Sequence, residues 1–498
     1  MSVSRRTFLA LGGATVASVA LGLHGSTPLA QAPAFAPSLA VSPAVHLLRR
    51  ITWGVRPSDI ATVETLGTQA YLEYQLAYES IPDPAIEAFI SNRRMMTMNA
   101  DDLRKLEGER YDVVYEGLIW SRLYRAIASE RQLYEMMVEF WTDHFNIPAP
   151  DYLSDKFIDD RDVIRRHALG SFRDLLLASA QSTAMLRYLD NAVSTSEHPN
   201  ENYARELMEL HTLGVDGGYT ERDVVEVARA FTGWTLTDNY YRFTFKMDIH
   251  DRGEKVVLGV VLPAERGIED GLQVLDMLAN HPSTARYIAY KLCRRFVSDF
   301  PPESIVQSTA QAFTASRGDI RATLRHLLNA PEFYAAQGQK FRKPSEFLVA
   351  MIRALHPALQ IENGRALFEP LELMAHLPFH WFPPNGYPDV AGAWLNTDGL
   401  LHRWNTALAL ANAGDGYFWG AVLNLENVIP QANTVGELVD ATAQYLLHAQ
   451  LPPSARQQLV SFISRTGDAS EPVTPSLRNG KLGSLVGLIF ASPYFQWR

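Results

Sequence analysis

Residues able to do chemistry gather in three short segments of this chain. The densest is Asn200-Glu201-Asn202-Tyr203-Ala204-Arg205-Glu206-Leu207-Met208-Glu209-Leu210-His211-Thr212-Leu213-Gly214. At helical spacing Tyr203, Leu207 and Leu210 make the packing face, and Asn202, Glu206 and Glu209 share an adjoining line. Two carboxylates three residues apart on one helix can bridge or share a metal ion when a histidine joins them from elsewhere. The same stretch also reads as a solvated ion-pair ladder, with Glu201, Arg205 and Glu209 at four-residue intervals. Glu206 stands outside that ladder, which makes it the carboxylate singled out for chemistry, with Asn202, Arg205 and Glu209 in support.

The second segment is Glu139-Phe140-Trp141-Thr142-Asp143-His144-Phe145-Asn146. Leu133, Met136, Met137 and Phe140 form an apolar face that His144 continues, while Glu135, Glu139 and Asp143 form a separate acidic stripe. An imidazole aimed at a core must find a polar partner or a metal, and a satisfied structural histidine is the commoner outcome. The third segment is His250-Asp251-Arg252-Gly253-Glu254-Lys255, where a His-Asp pair can orient a base or bind a metal. Turns also collect these residue types for conformational reasons alone. Trp141 beside His144, and Trp234 after the helix-terminating Gly233, are either core or walls of a site.

The elements that must hold these segments are helical almost throughout. Apolar residues recur at three- and four-residue spacing over Ala44–Ile51, Asp59–Leu76, Tyr111–Phe145, Ser154–Ala180, Asn202–Thr212, Glu221–Phe231, Ser283–Phe300, Pro344–Leu355 and Leu400–Ala413. Tyr241, Phe243, Phe245, Met247 and Ile249 instead alternate with polar residues, which predicts a half-exposed strand. With Val256-Val257-Leu258 it would form one β-hairpin whose turn carries His250 and Asp251. The expected fold is mainly α: a large helical domain with one small β-hairpin near the middle. Two lobes are conceivable, an N-terminal one at 44–262 and a C-terminal one at 263–498, with the seam near Leu262–Gly271. Phe379 to Trp404 reads as a long ordered loop, because Trp381, Trp394 and Trp404 need a surface to pack on.

Composition narrows the class. The 498 residues are 47% hydrophobic, enough for a large core, and 45 Lys and Arg against 55 Asp and Glu give a net charge of −10. That balance argues against a nucleic-acid coat protein. Cys293 is the only cysteine and sits in the apolar stretch Tyr287-Ile288-Ala289-Tyr290-Lys291-Leu292-Cys293. No internal disulfide or cysteine metal site can form, so a divalent metal would take His and carboxylate ligands.

Residues 1–34 read as an export signal: Arg5-Arg6-Thr7-Phe8-Leu9, then a small apolar run, then Ala32-Pro33-Ala34. The paired arginines resemble a twin-arginine signal, which implies a periplasmic or extracellular protein exported already folded. Residues 35–43 are a linker, and no later window has 18 uncharged apolar residues, so no membrane contact is expected of the mature form. A Gly-x-Ser-x-Gly elbow, His-Glu-x-x-His, a Walker loop, a Rossmann glycine fingerprint and paired Glu-x-x-His are all missing.

The run Asn200 to Leu236, preceded by Phe140-Trp141 and His144-Phe145, resembles the domain of unknown function 1800 family. The likeness continues through His250-Asp251, Leu258-Gly259, His281-Pro282, Arg342-Lys343-Pro344, Pro383-Pro384-Asn385-Gly386, Ala393-Trp394-Leu395-Asn396-Thr397 and Arg403-Trp404-Asn405. It covers residues 44 to 498. The resemblance implies an exported bacterial protein, often encoded beside a second exported protein resembling alkaline phosphatases and sulfatases. It carries over no catalytic residue. Where the family often has His or Asn between the Trp and the His of the first motif, this chain has Thr142 and Asp143.

Three functions compete. One is a metal-dependent enzyme with His144, Glu206 and His250 as ligands, Glu206, His250 and Asp251 as catalytic groups, and Asn202 orienting them. Another is a non-catalytic assembly partner of the neighbouring exported protein, touching it through Trp381 and Trp394. The third is a glycosidase or lyase using Glu206 and Asp251 as paired carboxylates.

Overall fold

Helix starts in this protein are set by proline and by side-chain caps. The first helix, α1 (Pro43–Ile51), has Pro43 at its opening position and the Ser42 hydroxyl accepting from the Val45 N–H at 3.2 Å. The structure is a computed structural model that describes residues 39–498 apart from 238–241, 357–358, 362–363 and 414–420. The expected signal at 1–34, most of the linker at 35–43, and Tyr241 lie outside the described residues.

The fold is mainly α. The elements that matter for the site are α2 (Pro84–Ser91), α3 (Tyr111–Ala128), α4 (Gln132–His144), α5 (Glu201–Glu206), α6 (Glu221–Ala230), α7 (Glu269–Ala279), α8 (Pro282–Phe296), α9 (Pro344–Leu355) and α10 (Thr397–Ala411). The periodic stretch Tyr111–Phe145 is two helices rather than one. Ser129 is extended, with φ −64° and ψ 140°, and its hydroxyl donates to Asp83 at 2.5 Å, which breaks the run before Gln132. No helix among the described residues is long and apolar enough to cross a membrane.

Residues 37–498 form one compact unit. Its apolar interior comprises two large clusters, and they do not divide near Leu262–Gly271. One is built from residues of α1, α4 and most of the chain between Leu133 and Ala336; the other gathers Phe89, α3, Met136 and the chain from Phe347 to Phe495. Helix α4 contributes to both, so most of its surface is covered. That burial is why its acidic stripe lies inside the protein, with Glu135 2% and Glu139 6% exposed.

Where one hairpin is expected near the middle there are two, and a third antiparallel pair joins Leu359–Ile361 to Ala421–Leu423. Strand β1 (Trp234–Leu236) pairs antiparallel with β2 (Phe243–Phe245), and β3 (Lys255–Val257) pairs with β4 (Val260–Leu262). The second turn is Leu258-Gly259, both at positive φ (50° and 77°), a two-residue connection whose twist matches the strands it joins. Met247–Ile249 winds into a short 3-10 turn, and His250 and Asp251 lie between the hairpins rather than in the turn of one. Far along the chain, Lys340 and Arg498 exchange backbone hydrogen bonds at 3.1 and 2.8 Å, and the Arg342 N–H reaches the Gln496 carbonyl at 2.9 Å.

Two helical segments are widened into π-turns, Asp159–Ile164 and Leu207–Thr212. In the second, the Thr212 hydroxyl donates to the Leu207 carbonyl at 2.6 Å. A π-turn adds a residue to the helical circuit and frees a carbonyl to bond outside the helix.

Candidate functional site

Along α4 the carboxylates recur every four residues, and each meets a cation from another part of the chain. Glu135 takes Arg165 at 2.9 Å, and Glu139 takes Arg295 of α8 at 2.6 Å and Lys343 at 2.8 Å. Asp143 takes the same Lys343 at 3.0 Å. The network runs on through Glu346 in α9, which pairs with Arg295 and, at 2.9 Å, with Arg498. Lys340 joins Asp299 at 2.8 Å and Asp389 at 2.9 Å. Most of it is sealed, but the side chains of Asp143 and Asp389 keep 19% and 20% of their surface. Burial pushes the Asp143 carboxyl up; Lys343 pulls it down, but that one cation is shared with Glu139, whose charge pushes it up again.

His144 closes one side of this cluster. Its Nε2–H donates to the His211 carbonyl at 3.0 Å, a carbonyl presented by the π-turn, and its Nδ1 accepts from Lys291 Nζ at 2.8 Å. Burial, Lys291 and His211 hold the imidazole neutral. Burial also brings the Lys291 ammonium down to about 8, against the pull of Asp143. An amine titrating there, beside a raised carboxyl, is the pairing that acid–base sites build. Behind Asp143 a cavity of about 30 Å³, lined by Arg122, Glu139, His376 and Tyr387, has room for a water.

The long loop packs on this cluster. Asn146 Nδ2 donates to the Trp381 and Pro383 carbonyls at 2.7 Å, and the Tyr188 hydroxyl donates to Phe382 O at 2.6 Å. Gly386 has φ +70°, and a Cβ there would sit 2.0 Å from the Asp143 carbonyl oxygen. Gly386→Ala is therefore expected to cost about 3 kcal/mol or more. Urea denaturation checks this against Gly392→Ala, whose Cβ would meet nothing within 4 Å. Equal midpoints for the two variants would mean that the loop does not need this close approach.

The other residues singled out from the sequence lie on α5, on the π-turn that follows it and on the segment between the two hairpins. Glu206 is half-buried at the C-terminus of α5, its carboxyl raised by burial and by Glu209. Arg205 pairs with Glu201 at 3.2 Å and with Glu221 of α6 at 2.8 Å. Asn202 is exposed, and its N–H serves the Asn200 cap at 2.8 Å. His250 donates from Nδ1 to the Thr232 carbonyl at 2.7 Å, and its Nε2 lies 3.5 Å from Asp270 in α7. Asp251 is clamped by Arg229 at 2.7 and 3.2 Å. No hydrogen bond or ion pair joins His144, Glu206 and His250. Among the described residues no group of three or more His, Cys, Asp or Glu is placed to hold a metal ion.

The tryptophans are mostly interior. Trp141 donates to the Ala168 carbonyl at 2.9 Å, and Trp234 is fully buried, with Gly271 leaving room for its indole. Trp394 is 7% exposed and packs on His376 and Tyr387; Trp381 is half-buried. Sequence reasoning missed Lys291, Arg295, Asp389 and the use of Lys343. The one local signal was a lysine inside the apolar stretch around Cys293, whose own thiol is buried and pushed up to about 12.

A family model described as "Protein of unknown function (DUF1800)" matches residues 46–497. No curated protein matches, and no solved structure matches.

Proposed function

This chain belongs to the DUF1800 family of proteins of unknown function, and from that premise we propose that it is an exported enzyme working by acid–base chemistry at Lys291 and Asp143. The observation that carries this reading is the contact of Lys291 Nζ with His144 Nδ1 at 2.8 Å, at the edge of a cluster where Asp143 reaches solvent. His144 orients the amine, because its other nitrogen is already committed to the His211 carbonyl. Lys291 would accept a proton from the substrate and Asp143 would return one to the developing anion. The twin-arginine-like start of the sequence supports export to the periplasm or beyond.

The donor set is less suited to the metal-centred version of this enzyme. Both His144 nitrogens are bonded, and each acid around Lys343 already has a cation.

The test is competitive labelling with a limiting amine acylating reagent across pH, read by peptide mass spectrometry. Lys291 is expected to outreact the exposed Lys105 near neutral pH, with a midpoint near the value of about 8 that its surroundings impose. Asp143→Asn should lower that midpoint further, since the Asp143 charge supports the ammonium. A Lys291 that labels no faster than Lys105 at any pH would sink the proposal. It would favour the second reading, a binding partner for another exported protein. For that reading the specific observation is Leu401 and Trp404, which share a face of α10 at 49% and 46% exposure.

A further inference from the structure

A hollow with aromatic walls lies away from the ion network. It measures about 520 Å³ and is bounded by α2, α3 and the Gly364–Phe368 segment. That volume falls within the range of small-ligand sites. Its floor is a stripe along α3: Glu116, Trp120 and Tyr124 stand four residues apart and so share one face, about 12 Å long at 1.5 Å per residue. Tyr124 is stacked on Phe89 of α2, with ring centroids 4.5 Å apart and planes 16° from parallel. Trp120 leans on Tyr124 at 5.5 Å. Gly364 lies flat against the Trp120 indole, where a Cβ would come 2.1 Å from the ring. Trp120 and Tyr124 are half-buried, fixed by these neighbours yet open to the hollow.

The polar groups around the floor are of both signs and planar. Arg365 pairs with Glu116 at 2.8 Å at one end, and Arg93 lies over Phe89 at 4.1 Å beside Asn92. An aromatic or aliphatic acid would be drawn by a cationic pocket without Glu116, and a purely apolar ligand would leave four polar side chains facing it. A pyranose satisfies both halves. Its axial C–H bonds form an apolar face that stacks on an indole or phenol ring, while its hydroxyls both donate and accept, matching carboxylate, amide and guanidinium edges.

We infer that this hollow is a saccharide-binding site, with a neutral sugar stacked on Trp120, the tilted Tyr124 ring bordering it, and its hydroxyls held by Glu116, Arg365, Asn92 and Arg93. The inference stands independently of the chemistry at Lys291.

Isothermal titration of the full chain with cellotriose, maltotriose and chitotriose at millimolar concentration tests it. At least one is expected to bind, and Trp120→Ala should weaken that sugar by about tenfold or more. If Trp120→Ala fails to fold, Asn92→Ala and Glu116→Ala carry the same test, with lost hydroxyl partners weakening binding while the ring platform stays. Benzoate is the contrasting probe. Binding by none of the three sugars, sugar binding unchanged in these folded variants, or tight benzoate binding that the same variants abolish would each overturn the assignment.

Discussion

Changing Glu346 to glutamine is expected to remove about 3–5 kcal/mol of stability, the largest effect of any single substitution at the ion network. The carboxylate is 1% exposed and faces two guanidiniums, Arg295 and Arg498, which are equally buried. It also accepts the Lys343 backbone N–H at 3.0 Å at the start of α9, a bond that glutamine can keep. Burial alone would push the Glu346 carboxyl up, but Arg295, Arg498 and Lys343 together hold it far below the usual range. Removing the charge while keeping the shape leaves the guanidiniums in a dry site with a neutral amide between them. Urea unfolding near neutral pH measures the loss. Glu303→Gln, which breaks an exposed pair with Arg286, should change little. A Glu346→Gln midpoint equal to wild type would show that water reaches the cluster and screens it.

The second large effect is with acid. Burial holds His46 and His211 down to about 3 and His448 to about 4, and it holds His144 and His376 well below the ordinary value. The unfolded chain takes up these protons near pH 6.5, and the folded chain refuses them. Below about pH 6.5 the unfolded state therefore binds more protons, and stability falls as pH falls, by up to about 1.4 kcal/mol per pH unit for each histidine. The decline continues until each folded pKa is reached. Asp143, Asp83 and Glu206, whose carboxyls are raised, oppose it over a narrower range near their own titration. At the other end, stability should rise as pH climbs from about 8 towards the ordinary lysine range, because the cost of keeping the half-buried Lys291 charged disappears. Urea midpoints measured from about pH 4.5 upwards test both signs. A flat profile between about pH 7 and 5 would mean that these imidazoles are protonated in place.

The helical class was legible because the apolar period of the chain is strong, and His144 was legible as a core-facing residue because it continues the face of Phe140. Its partners were not. Lys291 and the His211 carbonyl come from segments 147 and 67 residues away, and the carbonyl is available only because the helix widens at Leu207–Thr212. No local spacing encodes such a junction. The acidic stripe Glu135, Glu139 and Asp143 was visible as a pattern, but its burial depends on α4 lying between two cores, a property of the whole fold. The hairpin was misjudged because alternation from Tyr241 to Ile249 suggested one long strand, whereas the positive φ at Leu258 and Gly259 sets a separate turn. Arg205 illustrates the same limit: its ladder extends to Glu221 on the next helix, a pairing that a single-helix pattern does not contain.

The backbone exchange between Lys340 and Arg498 bears on how the protein is made. Arg498 also donates to the Arg49 carbonyl at 3.2 Å, so residues from both ends of the described chain meet beside Glu346. Contacts of such sequence separation form late, after shorter loops have closed. A nascent chain still on the ribosome can settle much of the first apolar cluster, which needs nothing beyond Ala336. Glu346, already able to pair with Arg295, gains its second guanidinium only once the segment carrying Arg498 has been synthesised. The segment carrying Arg498 thus acts as a late clasp on the network, joining stretches of the described chain that are far apart in sequence.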